Sequence, residues 1–219
     1  MGITEKKRFQ QIRRNWNSRL RALRIDGKNR KQYGDMAPKF AELLWVPTDS
    51  IDYSVKVGSS KDSARVVQDW PDQLVVPVRE LPSIKACLAH WQDGVAWEET
   101  GIFQQMLKKI DEKGKVDRLR NLDDIKSRYQ SVDELYRQVA LSRRLSPRSE
   151  LIPGNFREEG GILIHIGPSG TPFFGKKGHH RLAIALALKL EYVPVQLGVV
   201  HISAIKSLEA FRLENPQFL

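Results

Sequence analysis

The chain has 219 residues, 41% hydrophobic and 28% charged, with 15 glycines and 11 prolines. That is enough apolar material for a core of one to one and a half domains, and too little Gly and Pro for a low-complexity or fibrous chain. The longest apolar run, Leu182 to Leu188, falls short of the roughly 20 residues a bilayer span requires. Glu5, Lys6, Lys7 and Arg8 stand where the apolar core of a signal peptide would begin, and the single cysteine, Cys87, excludes a disulfide framework or an all-cysteine zinc site. The expectation is a soluble, cytoplasmic protein.

The net charge of +10 is concentrated at one end. Residues 1–32 hold eleven lysines and arginines against Glu5 and Asp26, a net +9, whereas the other 187 residues carry 25 basic and 24 acidic side chains. Phe9, Ile12, Trp16, Leu20 and Leu23 recur at spacings of three and four, which predicts a helix with one apolar face among basic ones. Three uses fit such an arm: its apolar stripe packs on the protein's own body, or lies in the interface of an anionic membrane, or the cations contact a nucleic-acid backbone. The spacing leaves all three open.

Residues 27–39, with Gly34, Asp35 and Pro38, read as a linker between this arm (1–32) and a single domain over 33–219. Pro47-Thr48-Asp49-Ser50 is a turn cluster, and Ile51, Tyr53, Val55 and Val57 alternate as a strand does. Leu74 to Val78, interrupted by Pro77, is at best an edge strand. Pro82 then opens a helix ended by Gly94. A second helix is predicted over Trp97–Ile110, a third after Asn121, and a fourth from the capping pattern Ser131-Val132-Asp133-Glu134. Further on, Ile162 to Ile166, a Gly167–Gly170 turn and Thr171 to Phe174 read as a hairpin. After the loop Gly175-Lys176-Lys177-Gly178 come a helix from His179 to Leu190, a strand from Val193 to Val200, and a last helix that Ser203 can cap.

A glycine-bearing loop that leaves a strand and enters a helix favours anions, because the first-turn N–H groups lack intrahelical partners and the helix dipole is positive there. Lys176, Lys177, His179, His180 and Arg181 surround that helix start, a density of cations that opposes the dipole unless an anion is bound. Gly170 to Lys176 also matches the first residues of a phosphate-binding G-x-x-x-x-G-K motif, but Lys177 replaces the magnesium-binding Ser or Thr and the intervening residues read as a strand.

Gly178-His179-His180-Arg181, following Phe174-Gly175 and preceding Leu-Ala-Ile-Ala, resembles the glycine-X-histidine-arginine box of the ParB/sulfiredoxin superfamily, and Tyr192-Val193-Pro194-Val195 resembles the strand that succeeds it. Trp97-Glu98-Glu99-Thr100-Gly101 and Arg157-Glu158-Glu159-Gly160-Gly161 extend the similarity to ParB-like proteins. The resemblance implies an α+β fold: a ParB/sulfiredoxin-like core of a small mixed sheet with helices, a helical insertion at about 92–150, and the basic amphipathic arm. It also implies phosphate contacts from Gly178, His180 and Arg181, with ATP or another nucleotide and Mg as cofactors. Two roles are disfavoured: His179 stands where sulfiredoxin has its catalytic cysteine, and no helix-turn-helix region follows the box.

Two functions follow from this. One is a nucleotide-dependent phosphotransferase or hydrolase acting on a small-molecule or glycan-like acceptor, with Lys176, Lys177, Gly178, His180 and Arg181 on phosphate. Glu98, Glu99 and His179 are its catalytic candidates, since such chemistry needs one carboxylate to orient or deprotonate the acceptor. Glu158 and Glu159 are further carboxylate candidates, and Arg157 beside them could pair on the surface or clamp a second phosphate. The other function is a non-enzymatic module that docks on nucleic acid or an anionic membrane through the arm. His165 and His201 with His179 and His180 match no local metal motif, which favours buried, hydrogen-bonded histidines.

Overall fold

The computed structural model describes residues 3–71, 75–214 and 216, and for residues 3–10 the backbone alone. The protein is α+β, and the chain divides into two compact units: residues 1–76, 146–178 and 191–219 form the first, residues 77–145 and 179–190 the second. Leu74 and the side chain of Phe9 lie outside the described residues.

The first unit carries a mixed sheet and a long helix, α1 (Ile3–Tyr33). The helix runs through residues 27–33, where the polar composition predicted a linker. Gly27 is tolerated on an open face, and Asn29 is buried and donates to the carbonyls of Pro38 (2.9 Å) and Ala64 (2.8 Å). A polar residue that satisfies two backbone acceptors holds a helix against the body as an apolar one would.

The sheet is built from β1 (Leu43–Pro47), β2 (Tyr53–Ser54), β3 (Val66–Val67), β4 (Val76–Pro77), β5 (Ile162–Ile166), β6 (Pro172–Phe174) and β7 (Tyr192–His201). Its order is β1-β7-β5-β6-β2-β4, with β3 also on β7. The expected hairpin is β5–β6, antiparallel with Ile164 opposite Phe174. β5 runs parallel to β7, the arrangement a crossover through an intervening helix produces. All five residues of β5 and eight of the ten in β7 are buried, as the continuous apolar runs of two-sided burial require. Only Tyr53–Ser54 of the alternating run 51–57 pairs as a strand, and β4 takes the expected edge position.

The β5–β7 ladder shifts register between Ile164 and Ile166, and His165 explains how the irregularity is held. Its fully buried ring accepts the Val199 N–H at Nδ1 (2.9 Å), replacing a ladder bond, and it lies against Gly198, where a Cβ would strike the ring. A side-chain acceptor at the irregularity satisfies the Val199 donor that the shifted ladder leaves.

The second unit is helical: α2 (Pro82–Asp93), α3 (Ile102–Lys113), α4 (Leu122–Ser142) and α6 (His179–Leu188). The short α5 (Arg148–Leu151) belongs to the first unit. Several predicted boundaries change, α6 among them, which ends at Leu188 and not Leu190. α3 starts at Ile102, not Trp97, because Gly101 takes a left-handed conformation (φ 78°) and Thr100 turns its hydroxyl back to the Trp97 carbonyl (2.7 Å). The two helices expected after Asn121 and Ser131 are one. Asn121 caps it, accepting the Asp124 N–H (2.8 Å), whereas the Ser131 hydroxyl donates to the Ser127 carbonyl (2.9 Å) and caps nothing. The expected last helix is instead two 3-10 segments, Ile202–Ala204 and Lys206–Phe211, the first capped by the His201 ring.

Candidate functional site

The loop after β6 is pinned to β5 from both ends. Gly175 N–H donates to the Leu163 carbonyl (2.8 Å) and Leu163 N–H to the Lys177 carbonyl (3.1 Å). Gly178 has φ +88°, and a Cβ there would stand 2.8 Å from the Ile162 Cα; one at Gly175 would stand 2.7 Å from His165 Nε2. Neither position admits a side chain without moving β5, so the glycines reflect close backbone approach as well as turn geometry. Lys176, also left-handed at φ 58°, is exposed.

Lys177 is half-buried. Burial lowers its pKa, Glu159 opposes the shift, and Arg14 and Arg148 add to it. Glu159 in turn accepts the Ser18 hydroxyl (2.5 Å) and has Arg14 at 4.0 Å. Its neighbour Glu158 is fully buried and accepts the Arg148 N–H (2.7 Å). Lys177 therefore sits in the field of an ionic cluster of the first unit. Glu158 and Glu159, adjacent in sequence, divide as adjacent residues do, one inward and one toward α1. Arg157 clamps the same region by pairing with Asp26 (2.8 Å) and donating to the Phe40 carbonyl (2.7 Å).

In the second unit, α6 begins at His179 with no acidic residue in its first turn, and its body from Leu182 to Leu186 is buried. His180 packs edge-on against Tyr129, ring centroids 5.5 Å apart. Burial pushes its pKa down to about 4, and Arg128 and His179 lower it further. The ring is neutral at pH 7, so His180 can serve an anion as a hydrogen-bond donor and not as a cation, which corrects its place in the expected cluster of positive charge. Arg181, one residue on and half-buried, keeps its charge at any working pH.

Glu98 and Glu99 are exposed in the turn before α3, not in a first helical turn. Glu98 lies 3.9 Å from Lys126. Around them is an arrangement the sequence reading missed. Asp133, midway along α4, accepts the indole N–H of both Trp91 and Trp97 at 2.9 Å, and His90 stands 3.4 Å from it. His90 stacks on Trp97 (4.0 Å) and Trp91 on Tyr136 (4.5 Å). The signal was present as two tryptophans flanking Gly94 and an acid within a predicted helix, but nothing local links them.

Cys87 is fully buried, and burial pushes its thiol to about 12, out of the nucleophilic range. His201 has Nε2 2.7 Å from the Gln68 carbonyl and Nδ1 2.7 Å from the Ser203 hydroxyl. Among the described residues no group of three or more His, Cys, Asp or Glu side chains could hold a metal. No protein-family model matches the chain, and no curated protein or solved structure is significantly similar to it.

Proposed function

We propose that the protein binds the phosphate of a nucleotide at the start of α6. The observation that supports this reading is the first turn of that helix: it holds the cation Arg181 and no acid, and it follows a loop whose two glycines admit no side chain. A helix N-terminus with a permanent cation in its first turn is a ready anion site, and the resemblance of residues 178–181 to a nucleotide-phosphate box points the same way. Arg181 would supply charge, His180 a neutral donor, and Lys176 an exposed long-range cation. Mg would arrive with the phosphates, since it binds through them and few protein carboxylates.

The reaction class proposed with this site is phosphoryl transfer to a small-molecule or glycan-like acceptor, or nucleotide hydrolysis. Such catalysis is largely charge neutralisation and positioning. Glu98 and Glu99 are the exposed carboxylates assigned to the acceptor, and His179 is the proton carrier assigned from the helix start.

Thermal unfolding with ATP, ADP, CTP, GTP or inorganic phosphate, each with Mg, tests the binding. At a hundredfold excess over Kd, mass action adds about 2.7 kcal/mol, roughly 5–10 °C in Tm for a chain of this length. A nucleotide-selective rise that Arg181→Ala removes and Lys176→Ala reduces is the expected result. No rise with any ligand at millimolar concentration overturns the proposal. Release of phosphate that Glu98→Gln or Glu99→Gln abolishes would separate an enzyme from a binding protein.

A further inference from the structure

We propose that the outward face of α1 is a docking surface for an anionic membrane, on which the helix lies flat. The helix is turned the opposite way from an ordinary surface helix. Its contacts with the body are mostly polar: Gln11 to Asn155 (3.3 Å), Asn15 to the Gly154 carbonyl, Ser18 to Glu159 and Asn29 to two carbonyls, with one apolar cluster in which Ala22 and Ile25 meet Phe40 and Ala41. These residues recur every three or four positions and use up the face that touches the body.

The apolar stripe is left in water. Ile12, Trp16, Leu20 and Leu23 are 57%, 64%, 52% and 74% exposed. They follow one another along one side for about 17 Å of helix. Arg13, Arg24 and Lys31 flank the stripe on one side and form no ion pair among the described residues. Arg19 and Arg30 flank it on the other, where an open groove of about 930 Å³ runs between Trp16, Leu20 and Leu23 and the ring of Phe156.

Charge and apolarity together select the occupant. A second copy would set two arms of +9 against each other. A nucleic-acid backbone would answer the arginines and leave four large apolar side chains in water. An anionic bilayer answers both: indole and aliphatic groups enter the boundary between headgroups and acyl chains while guanidinium groups meet lipid phosphates. Among the described residues no helix is long and apolar enough to cross a membrane, so the helix lies on the surface.

The test is co-sedimentation of the full chain with phosphatidylcholine vesicles and with vesicles containing 30% phosphatidylglycerol. It uses wild type, Trp16→Ser/Leu20→Ser and Arg13→Gln/Arg24→Gln. These side chains are exposed, so thermal melts of both variants should match wild type. The expected result is binding at least tenfold tighter to the anionic vesicles, weakened at least tenfold by the apolar double variant and several-fold by the arginine variant. Quenching of Trp16 emission by brominated lipid, absent in Trp16→Phe/Leu20→Ser, would place the indole in the boundary. Four results overturn the proposal: no preference for anionic vesicles; anionic binding that the apolar variant leaves intact; a dimer by light scattering that the same variant dissociates without vesicle binding; or duplex binding without vesicle binding. Arg181→Ala leaves this surface untouched, so failure here and failure of the nucleotide site are separately visible.

Discussion

Helices α1 and α3 have the same kind of sequence pattern and opposite fates. In α3, Ile102, Phe103, Met106 and Ile110 recur at helical spacing and all four are buried. In α1, Ile12, Trp16, Leu20 and Leu23 do the same and all four are exposed, while Ser18, Ala22 and Asn29 are buried. Periodicity shows that a helix has two faces, but which face goes in depends on what the body offers. The second unit offers α3 an aromatic ring, Tyr129, 5.3 Å from Phe103. The first unit offers α1 the Pro38, Ala64 and Gly154 carbonyls, the Asn155 amide and the Glu159 carboxylate. A helix facing unpaired acceptors gains most from its donors.

The largest effect should come from the buried stripe. Phe103→Ala leaves a cavity beside Tyr129 and should cost about 3–5 kcal/mol in denaturant unfolding; a loss below 1 kcal/mol would mean α3 is not held by its apolar face. Asp133→Ala comes next. It strands two indole donors in an apolar setting, worth roughly 2–3 kcal/mol, and should also change the near-ultraviolet dichroism of Trp91 and Trp97.

A polar group turned inward in the sheet supplies a pH-dependent contrast. Burial lowers the folded pKa of His165 from 6.5 to about 4, so between those values the unfolded chain binds the proton and the folded one does not. The stability this ring contributes is complete above pH 6.5 and falls by up to about 1.4 kcal/mol per pH unit as pH drops toward 4. His180 behaves likewise. His165→Asn, whose side-chain oxygen can still accept the Val199 N–H, should flatten the dependence of Tm on pH between 6.5 and 4 relative to wild type. An unchanged slope would mean the ring titrates normally.

Asn29→Ala probes the polar face of α1. It frees the Pro38 and Ala64 carbonyls and should cost about 1–2 kcal/mol, with faster amide exchange over residues 27–33. The smallest effect belongs to the other side of the same helix: Leu20→Ala should change stability by no more than about 0.5 kcal/mol. A larger loss would show that the stripe is covered in solution, and the contrast with α3 would fail.

Much of the sheet was legible because its strands carry their own signals. The Ile162–Ile166 run, the Gly167–Gly170 turn and the long run ending at Val200 announce buried strands and a hairpin through residue type alone. The loop before α6 was legible for the same reason, since glycine between strand and helix has few other uses. Less legible were features that depend on partners distant in sequence. Asp133 lay unremarked inside the Ser131–Glu134 capping pattern, because local pattern cannot show two indoles arriving from α2 and the turn after it. Local spacing shows that Glu158 and Glu159 face different ways but not which faces inward: Glu158 is buried under Arg148, and Glu159 answers Ser18 and Arg14 from α1.

By itself the amino-acid sequence determined that the protein is α+β, that residues 1–32 carry nearly all the net charge, and that a glycine loop meets a cation-rich helix start. These are properties of short segments, set by side-chain volume, backbone freedom and charge at fixed spacing. Tertiary structure alone decided that the polar face of α1 is the one that docks, that His180 is neutral, and that His165 holds a bulge. Burial and hydrogen-bond partners decide these, because desolvation and unsatisfied donors acquire a free-energy cost only once distant segments close over them.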